Sequence, residues 1–115
     1  MVNYSQPELD AVFHALADGN RRQMLEALSK GERTVSELAE PLGISLPAVS
    51  KHLGILERAG LLRRRKDGRV HHLRFNPEAF EPATSWMETH RQFWEQSFDR
   101  LANFLESKTD HEPKR

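Results

Sequence analysis

The chain has 115 residues, of which 37% are hydrophobic and 30% charged, with 17 basic residues balanced by 17 acidic ones. This length corresponds to one domain with a core of its own. Cysteine does not occur, which excludes disulfides, thiolate metal sites and thiol redox switches. Because there is no long apolar run and no leader-like start, we expect a cytoplasmic protein that makes no membrane contact.

The zero net charge conceals an uneven distribution along the chain. Residues 51–74 contain eight basic side chains and two acidic ones, a net charge of +6, which leaves −6 for the rest. A solvated charged surface normally mixes both signs. A basic segment of this kind is typical of a surface that contacts nucleic-acid phosphates.

The N-terminal part predicts two helices. Residues 1–7 are expected to form a flexible arm, and apolar residues at helical spacing then predict a first helix over residues 8–17. Asp18 is a suitable N-cap for a second helix over residues 19–29. The apolar side chains expected to face inward from this second helix are Met24, Leu25 and Leu28.

The next two predicted helices form a helix-turn-helix. Thr34-Val35-Ser36-Glu37 matches a capping box and predicts a short helix over residues 35–42, which Gly43 ends. A longer helix follows over residues 45–59, with Ser45 as its N-cap and Gly60 where a helix end favours a positive φ.

This longer helix is amphipathic. Its buried stripe is expected to consist of Val49, Leu53 and Leu56. The side chains on the opposite face are mostly short and polar. A helix of this kind can enter the major groove of DNA and place side chains on base edges. An ordinary amphipathic helix with a solvated polar face is the alternative that the helix alone leaves open.

The basic segment continues into a predicted β-hairpin. Asp67-Gly68 is a hairpin turn signal, and the apolar residues Leu73 and Phe75 alternate with Arg74. The fold class is therefore mostly α with a small β-hairpin, namely a winged helix-turn-helix with a basic wing tip. The helix is expected to face bases, and Lys51 and the wing are expected to contact phosphates or the narrow minor groove. The predicted DNA-contacting residues are Ser45, Pro47, Ala48, Ser50, Lys51, His52, Arg64, Arg65, Lys66 and Arg69.

The C-terminal region predicts one long helix over residues 80–106, followed by a disordered tail over residues 107–115. Its apolar stripe is wider than a small domain needs for its own core. Such width favours a homodimer over a long core helix. Residues 8–17 and 80–106 are then the dimerisation helices of a domain that spans residues 8–106. The predicted interface residues are Leu9, Phe13, Met87, His90, Trp94, Phe98, Leu101 and Leu105.

The order of these elements resembles the ArsR/SmtB family of bacterial winged-helix repressors. The resemblance is carried by residues 16–22 (LADGNRR), 50–61 (SKHLGILERAGL) and 65–69 (RKDGR), and it covers residues 8–106. It implies a homodimer built on the first and last helices and a DNA-reading helix at residues 45–59. It also implies release of the operator when an effector binds.

The chain departs from the family at the metal sites. Residues 34–38, where the family has a thiolate site, contain threonine and serine, which are not soft ligands. Glu88-Thr89-His90 matches half of a second family site, but the other half falls on Leu101 and Phe104. The sequence therefore predicts a branch of the family that has no metal site and no cofactor. No motif in the sequence identifies its effector.

The sequence also bears on three other functions: an enzyme, a metal-responsive repressor and a module that contacts only proteins. No phosphate loop, nucleophile elbow or catalytic carboxylate pair occurs, so an enzyme is not expected. Two alternatives remain: a metal-responsive repressor that uses Glu88, His90 and His111, and a winged helix that contacts proteins without DNA. The sequence favours a regulator, acting as a repressor, that binds a pseudo-palindromic operator in double-stranded DNA as a homodimer.

Overall fold

A computed structural model describes residues 5–111, with side chains as far as residue 108. The described chain divides after Ala83 into two units, the second of which is part of one long helix. The prediction of a mostly helical fold with a small β-hairpin is confirmed. In chain order the elements are α1 (Gln6–Leu16), α2 (Gly19–Ser29), β1 (Arg33–Thr34), α3 (Val35–Ala39), α4 (Leu46–Arg58), β2 (Leu62–Asp67), β3 (Val70–Phe75) and α5 (Glu81–His111), with 3-10 turns at Glu40–Leu42 and Pro77–Phe80.

Helix α1 begins earlier than the sequence predicts. The hydroxyl of Ser5 accepts a hydrogen bond from the backbone N–H of Glu8 at 3.1 Å, and Pro7 occupies the first turn, where its missing N–H costs nothing. Gln6 and Pro7 are therefore helical, and the prediction of a flexible arm is wrong for these two residues. Residues 1–4 of that arm lie outside the described residues.

The predicted caps of α2 and α3 are confirmed. One carboxylate oxygen of Asp18 accepts the N–H groups of Asn20 and Arg21 at 2.8 and 3.2 Å. At α3 the capping box is reciprocal: Thr34 N–H donates to the Glu37 carboxylate at 2.8 Å, and Glu37 N–H donates to the Thr34 hydroxyl at 3.2 Å. Helix α3 ends at Ala39, before the predicted residue 42, because Glu40–Leu42 winds as a 3-10 turn.

Helix α4 packs its predicted stripe into the core. Val49, Leu53 and Leu56 are at most 1% exposed. Gly60 at φ +77° lets the chain leave the helix, since its N–H donates to Glu57 and that of Leu61 donates to Leu56. The other core residues come from the first two helices, α3 and the wing: Ala15, Met24, Leu25, Leu28, Leu38, Leu61, Leu62 and Leu73.

The wing is a three-stranded antiparallel sheet with the strand order β1-β3-β2, rather than the two-stranded hairpin that the sequence predicts. Strand β1 pairs Arg33 with Leu73 and is only two residues long, too short for an alternation pattern to reveal it. Strands β2 and β3 pair from Leu62–Phe75 to Asp67–Val70. The turn between them therefore falls at the predicted Asp67-Gly68.

Helix α5 runs to His111, beyond its predicted end at residue 106. The prediction of a disordered tail is therefore wrong for residues 107–111, which contain no glycine or proline to stop the helix. Residues 112–115 lie outside the described residues. No helix within residues 5–111 combines the length and the hydropathy needed to cross a membrane.

Candidate nucleic-acid interface

The N-terminal half of α4 presents short side chains to solvent. Pro47 and Ser50 are exposed, and Ala48 is half-buried. The hydroxyl oxygen of Ser45 accepts the N–H of Ala48 at 3.3 Å, which leaves its O–H free to donate. Leu46 is 62% exposed and was not among the predicted contacts, although it lies outside the buried stripe. An exposed leucine at a helix start can pack against a thymine methyl group.

Three of the predicted phosphate contacts are exposed cations. Lys51 lies on α4, and Lys66 and Arg69 flank the wing turn. In the described part of the chain, none of the three lies within ion-pair distance of a carboxylate. Their charges are therefore available to an anionic partner.

A groove of about 540 Å³ joins the helix and the wing. Ser50 of α4 and Arg69 of the wing both line it, so the structure brings together two predicted contacts that are distant in sequence. A cationic group suits phosphate oxygens, which only accept hydrogen bonds, and a hydroxyl beside it can donate to or accept from base edges. The full lining is Thr34, Val35, Ser36, Ser50, Arg64, Arg69, Val70 and His71.

Arg64 does not lie free at the wing tip. Its side chain is 25% exposed and pairs with both carboxylate oxygens of Glu57, at 3.2 and 3.3 Å. Its Nη1 lies 2.9 Å from Nδ1 of His71. Arg64 therefore links β2 to α4 and could contact a phosphate only in competition with Glu57.

Arg65 and its neighbour across the sheet share an acidic partner. The Nη2 group of Arg65 donates to Glu32 at 3.0 Å, and Nδ1 of His72 lies 3.6 Å from the same carboxylate oxygen. Arg65 remains 58% exposed. It can reach a phosphate, but only in competition with Glu32.

The predicted base contact His52 is largely enclosed. Its side chain is 15% exposed, with Nδ1 3.1 Å from Nη1 of Arg21 and 3.9 Å from Oδ1 of Asp18. Sequence reasoning missed Arg21, which is buried at 7% exposure, although it lies within the segment that carries the family resemblance. A basic residue just after an N-cap was the only signal.

The two residues of the half metal site, Glu88 and His90, each make contacts within α5. Nδ1 of His90 lies 2.8 Å from the carbonyl of Trp86, and the two rings stack at 4.4 Å. Arg91 donates to Glu88 at 2.8 Å and holds the pKa of that carboxyl below its ordinary value. Among the described residues, no group of three His, Asp or Glu side chains could hold a metal ion. The side chain of His111 lies outside those described.

The predicted dimer residues on α5 form an apolar stripe. Since each helical residue advances by about 100°, Met87, Trp94, Phe98, Leu101 and Leu105 fall within roughly 60° of one another. They are 39–68% exposed. On α1, Phe13 is 36% exposed, but Leu9 is only 5% exposed. Leu9 therefore offers little surface to a partner in the single chain. Phe93 and Phe104, at 59 and 62%, were not in that prediction.

The chain is similar to known transcriptional regulators. A helix-turn-helix domain family model matches residues 16–65. The HTH-type transcriptional regulator Rv2034 of Mycobacterium tuberculosis is 34% identical over 110 residues, which cover 96% of this chain and 98% of that protein. The transcriptional repressor SdpR of Bacillus subtilis is 32% identical over 79 residues, which cover 69% of this chain and 88% of that protein.

A solved structure of a transcriptional regulator is also similar to this chain. The crystal structure of an ArsR family transcriptional regulator shares 40% identity with this chain at a TM-score of 0.76, and the match covers 83% of this chain and 97% of that one. The family consists of transcriptional regulators and not of enzymes, as the sequence predicts. The chain belongs to the ArsR family of winged helix-turn-helix transcriptional regulators.

Proposed function

We propose that this regulator is a cytoplasmic repressor that binds a pseudo-palindromic operator in double-stranded DNA as a homodimer. The observation that carries the proposal is the groove where Ser50 of the reading helix and Arg69 of the wing lie together. One DNA duplex can meet both surfaces there. A helix that only contacted protein would not need unpaired cations beside it.

Within this proposal the two surfaces have different roles. Pro47, Ala48 and Ser50 face base edges, where a hydroxyl can donate or accept and an apolar group can contact thymine. Lys51, Lys66 and Arg69 face phosphates, for which unpaired point and forked charges are suited. Specificity therefore comes from α4, and most of the salt-dependent affinity comes from the cations.

The homodimer forms through the apolar stripe of α5. Trp94 and Leu101 lie near its middle and are 39 and 53% exposed in the single chain. A twofold axis would place two α4 helices on successive major grooves, with half-sites about 34 Å apart. We do not favour a metal effector, because Leu101 and Phe104 stand where the second half of the family's site would supply ligands. In the described part of the chain, no three His, Asp or Glu side chains could hold a metal ion.

Capture of genomic fragments tests the proposal, beginning with the fragment that carries the protein's own promoter. Binding to the recovered operator and to a scrambled duplex is then titrated at several salt concentrations. Ser50→Ala should narrow the gap between the two duplexes by about 1–3 kcal/mol. Lys66→Ala, the matched phosphate-contact variant, should weaken both equally. Equal affinity of the wild type for operator and scrambled DNA would refute sequence-specific binding.

A further inference from the structure

We propose that Arg21 of α2 positions His52 of α4 and fixes its imidazole as an N–H donor to a DNA phosphate at the flank of the reading helix. The proposal rests on the DNA binding proposed above. It gives a function to a buried arginine outside the helix-turn-helix, and it replaces the expectation that His52 reads bases.

Arg21 is held from three sides. Its Nε donates to the carbonyl of Ala15 at 2.8 Å and its Nη2 to that of His14 at 2.9 Å, both in the last turn of α1. The last carbonyls of a helix lack partners one turn on, and the guanidinium donates to two of them. The carbonyl of His14 also accepts the N–H of Ala17 at 3.1 Å. With 7% exposure, Arg21 has little freedom to move. Its third nitrogen is thereby aimed at α4.

That third nitrogen determines the protonation of His52. Nη1 of Arg21 lies 3.1 Å from Nδ1 of His52. A guanidinium has only donors, so we assign Nδ1 as the acceptor and place the ring N–H on Nε2. Arg21 is the nearer partner of Nδ1, because the Asp18 carboxylate lies 3.9 Å away. That carboxylate also accepts two backbone N–H groups as the cap of α2.

The other ring nitrogen reaches the surface. Nε2 makes no hydrogen bond to any described residue. No buried side-chain nitrogen or oxygen in the described part of the chain lacks a partner, so Nε2 must be accessible to solvent. His52 thus presents a single N–H donor, whose direction Arg21 sets.

The position of this donor on α4 favours a phosphate over a base. Each residue turns the helix by about 100°, so His52 lies roughly 60° from Val49, which is at the centre of the buried stripe, on the side away from Ser50. It is a flank position rather than one on the outward face. A donor that cannot accept matches a phosphate oxygen, and phosphate contacts carry no sequence information.

Two substitutions separate the two ring nitrogens. His52→Asn keeps an acceptor near the position of Nδ1 and removes the outer donor. His52→Gln keeps a donor near the position of Nε2 and removes the acceptor for Arg21. We expect His52→Asn to fold with wild-type stability and to lose about tenfold in affinity per half-site, on operator and scrambled DNA alike. His52→Gln should retain part of that affinity but show lower stability.

Two further measurements address Arg21. Long-range ¹⁵N–¹H spectra of the wild type at neutral pH, without DNA, should show the His52 proton on Nε2. Arg21→Lys should weaken binding, and adding His52→Asn to it should cost less than His52→Asn costs alone, because the two residues act as a pair. A proton on Nδ1, additive effects, or a His52→Asn loss confined to the operator would overturn the proposal. If no DNA is bound, the proposed function fails, and the spectra still decide the pairing.

Discussion

Arg64 of β2 reaches back to Glu57 of α4, with Nη2 donating to one carboxylate oxygen at 3.2 Å and Nε donating to the other at 3.3 Å. The pair ties β2 to the C-terminal end of the reading helix. An arginine that looks like a phosphate contact in the sequence therefore also has a partner within the chain. Arg69, at the wing turn, has no such partner within the described residues.

The two arginines should respond differently to alanine substitution. Arg69→Ala removes one phosphate contact per wing, so the slope of log affinity against log salt should fall by about 2 per dimer. Arg64→Ala should leave that slope nearly unchanged. It should instead lower stability by about 1 kcal/mol, since the pair is partly exposed. Salt titrations and thermal melts of both variants measure the two effects.

The matched control for Arg64→Ala is Glu57→Gln, which removes the same ion pair without removing a positive charge. Both variants should lose similar stability. A large drop in salt slope for Arg64→Ala, together with an unchanged slope for Arg69→Ala, would show that the two roles are reversed.

Glu32 should act as a brake on DNA binding. It holds Arg65 at 3.0 Å and adds a negative charge beside the wing. Glu32→Gln should free Arg65 for phosphate and steepen the salt slope by about 1 per protomer, with higher affinity at low salt. Glu26→Gln removes the same charge from an exposed position on α2 and is the control. Equal affinity gains for both variants would mean that only net charge matters.

The elements that the sequence predicts well are those specified by local chemistry. The cap at Asp18, the capping box at Thr34 and the glycine after α4 each act within a few residues of the chain. The stripe of Val49, Leu53 and Leu56 repeats at helical spacing, so its burial could be predicted without knowing its partners.

The predictions that changed at the proposed DNA-binding surface share a physical cause, because they concern side-chain pairings between different helices and strands. Glu57 lies seven residues from Arg64, Arg21 lies 31 residues from His52, and Glu32 lies 33 residues from Arg65. No periodic pattern encodes these contacts. A basic or imidazole side chain on a DNA-facing element looks equally available in the sequence whether or not an internal partner holds it.

The helix caps predict the response to acid. The backbone N–H of Arg21 is the main reason that the pKa of Asp18 lies below its ordinary value of 3.8, and the backbone N–H of Thr34 does the same for Glu37, whose ordinary value is 4.5. A pKa that is lower in the folded state than in the unfolded state stabilises the fold at higher pH. This contribution is lost as the pH falls below these values.

Asp18→Asn tests this response, because asparagine also caps helices but carries no charge. Urea unfolding followed by circular dichroism should show a lower free energy of unfolding for the variant than for the wild type at pH 7. This difference should shrink as the pH approaches 2. Asp10→Asn, at an exposed site within α1 that caps no helix, should show no such trend. A deficit for Asp18→Asn that stays constant with pH would contradict the charge argument.

Zinc should not affect DNA binding. The positions of the second half of the family's site are Leu101 and Phe104, which cannot bind a metal. Among the described residues, no three His, Asp or Glu side chains lie together as metal ligands would. Added Zn²⁺ or a chelator should leave the affinity for the operator unchanged. Calorimetry should detect no tight, stoichiometric zinc site. Zinc binding that released DNA and was abolished by His90→Ala would restore the metal-responsive alternative.

Leu101 should be central to the proposed dimer. Burying a large side chain of this kind contributes about 1.5–3 kcal/mol, and each dimer contains two copies. Leu101→Glu would place two unpaired charges in an apolar seam. The dimer dissociation constant should therefore rise by on the order of a hundredfold or more. Analytical ultracentrifugation of the wild type at micromolar concentration should show a dimer, and the variant should sediment as a monomer.

Asn103→Glu provides the control, because it adds the same charge two residues later, roughly 160° from Leu105 around the helix. It should remain dimeric and bind the operator as the wild type does. Leu101→Glu should keep the helical circular dichroism of a folded chain and yet lose operator affinity, because a monomer can hold only one half-site. A wild type that sediments as a monomer, or equal dissociation of both variants, would place the self-association surface somewhere other than this stripe.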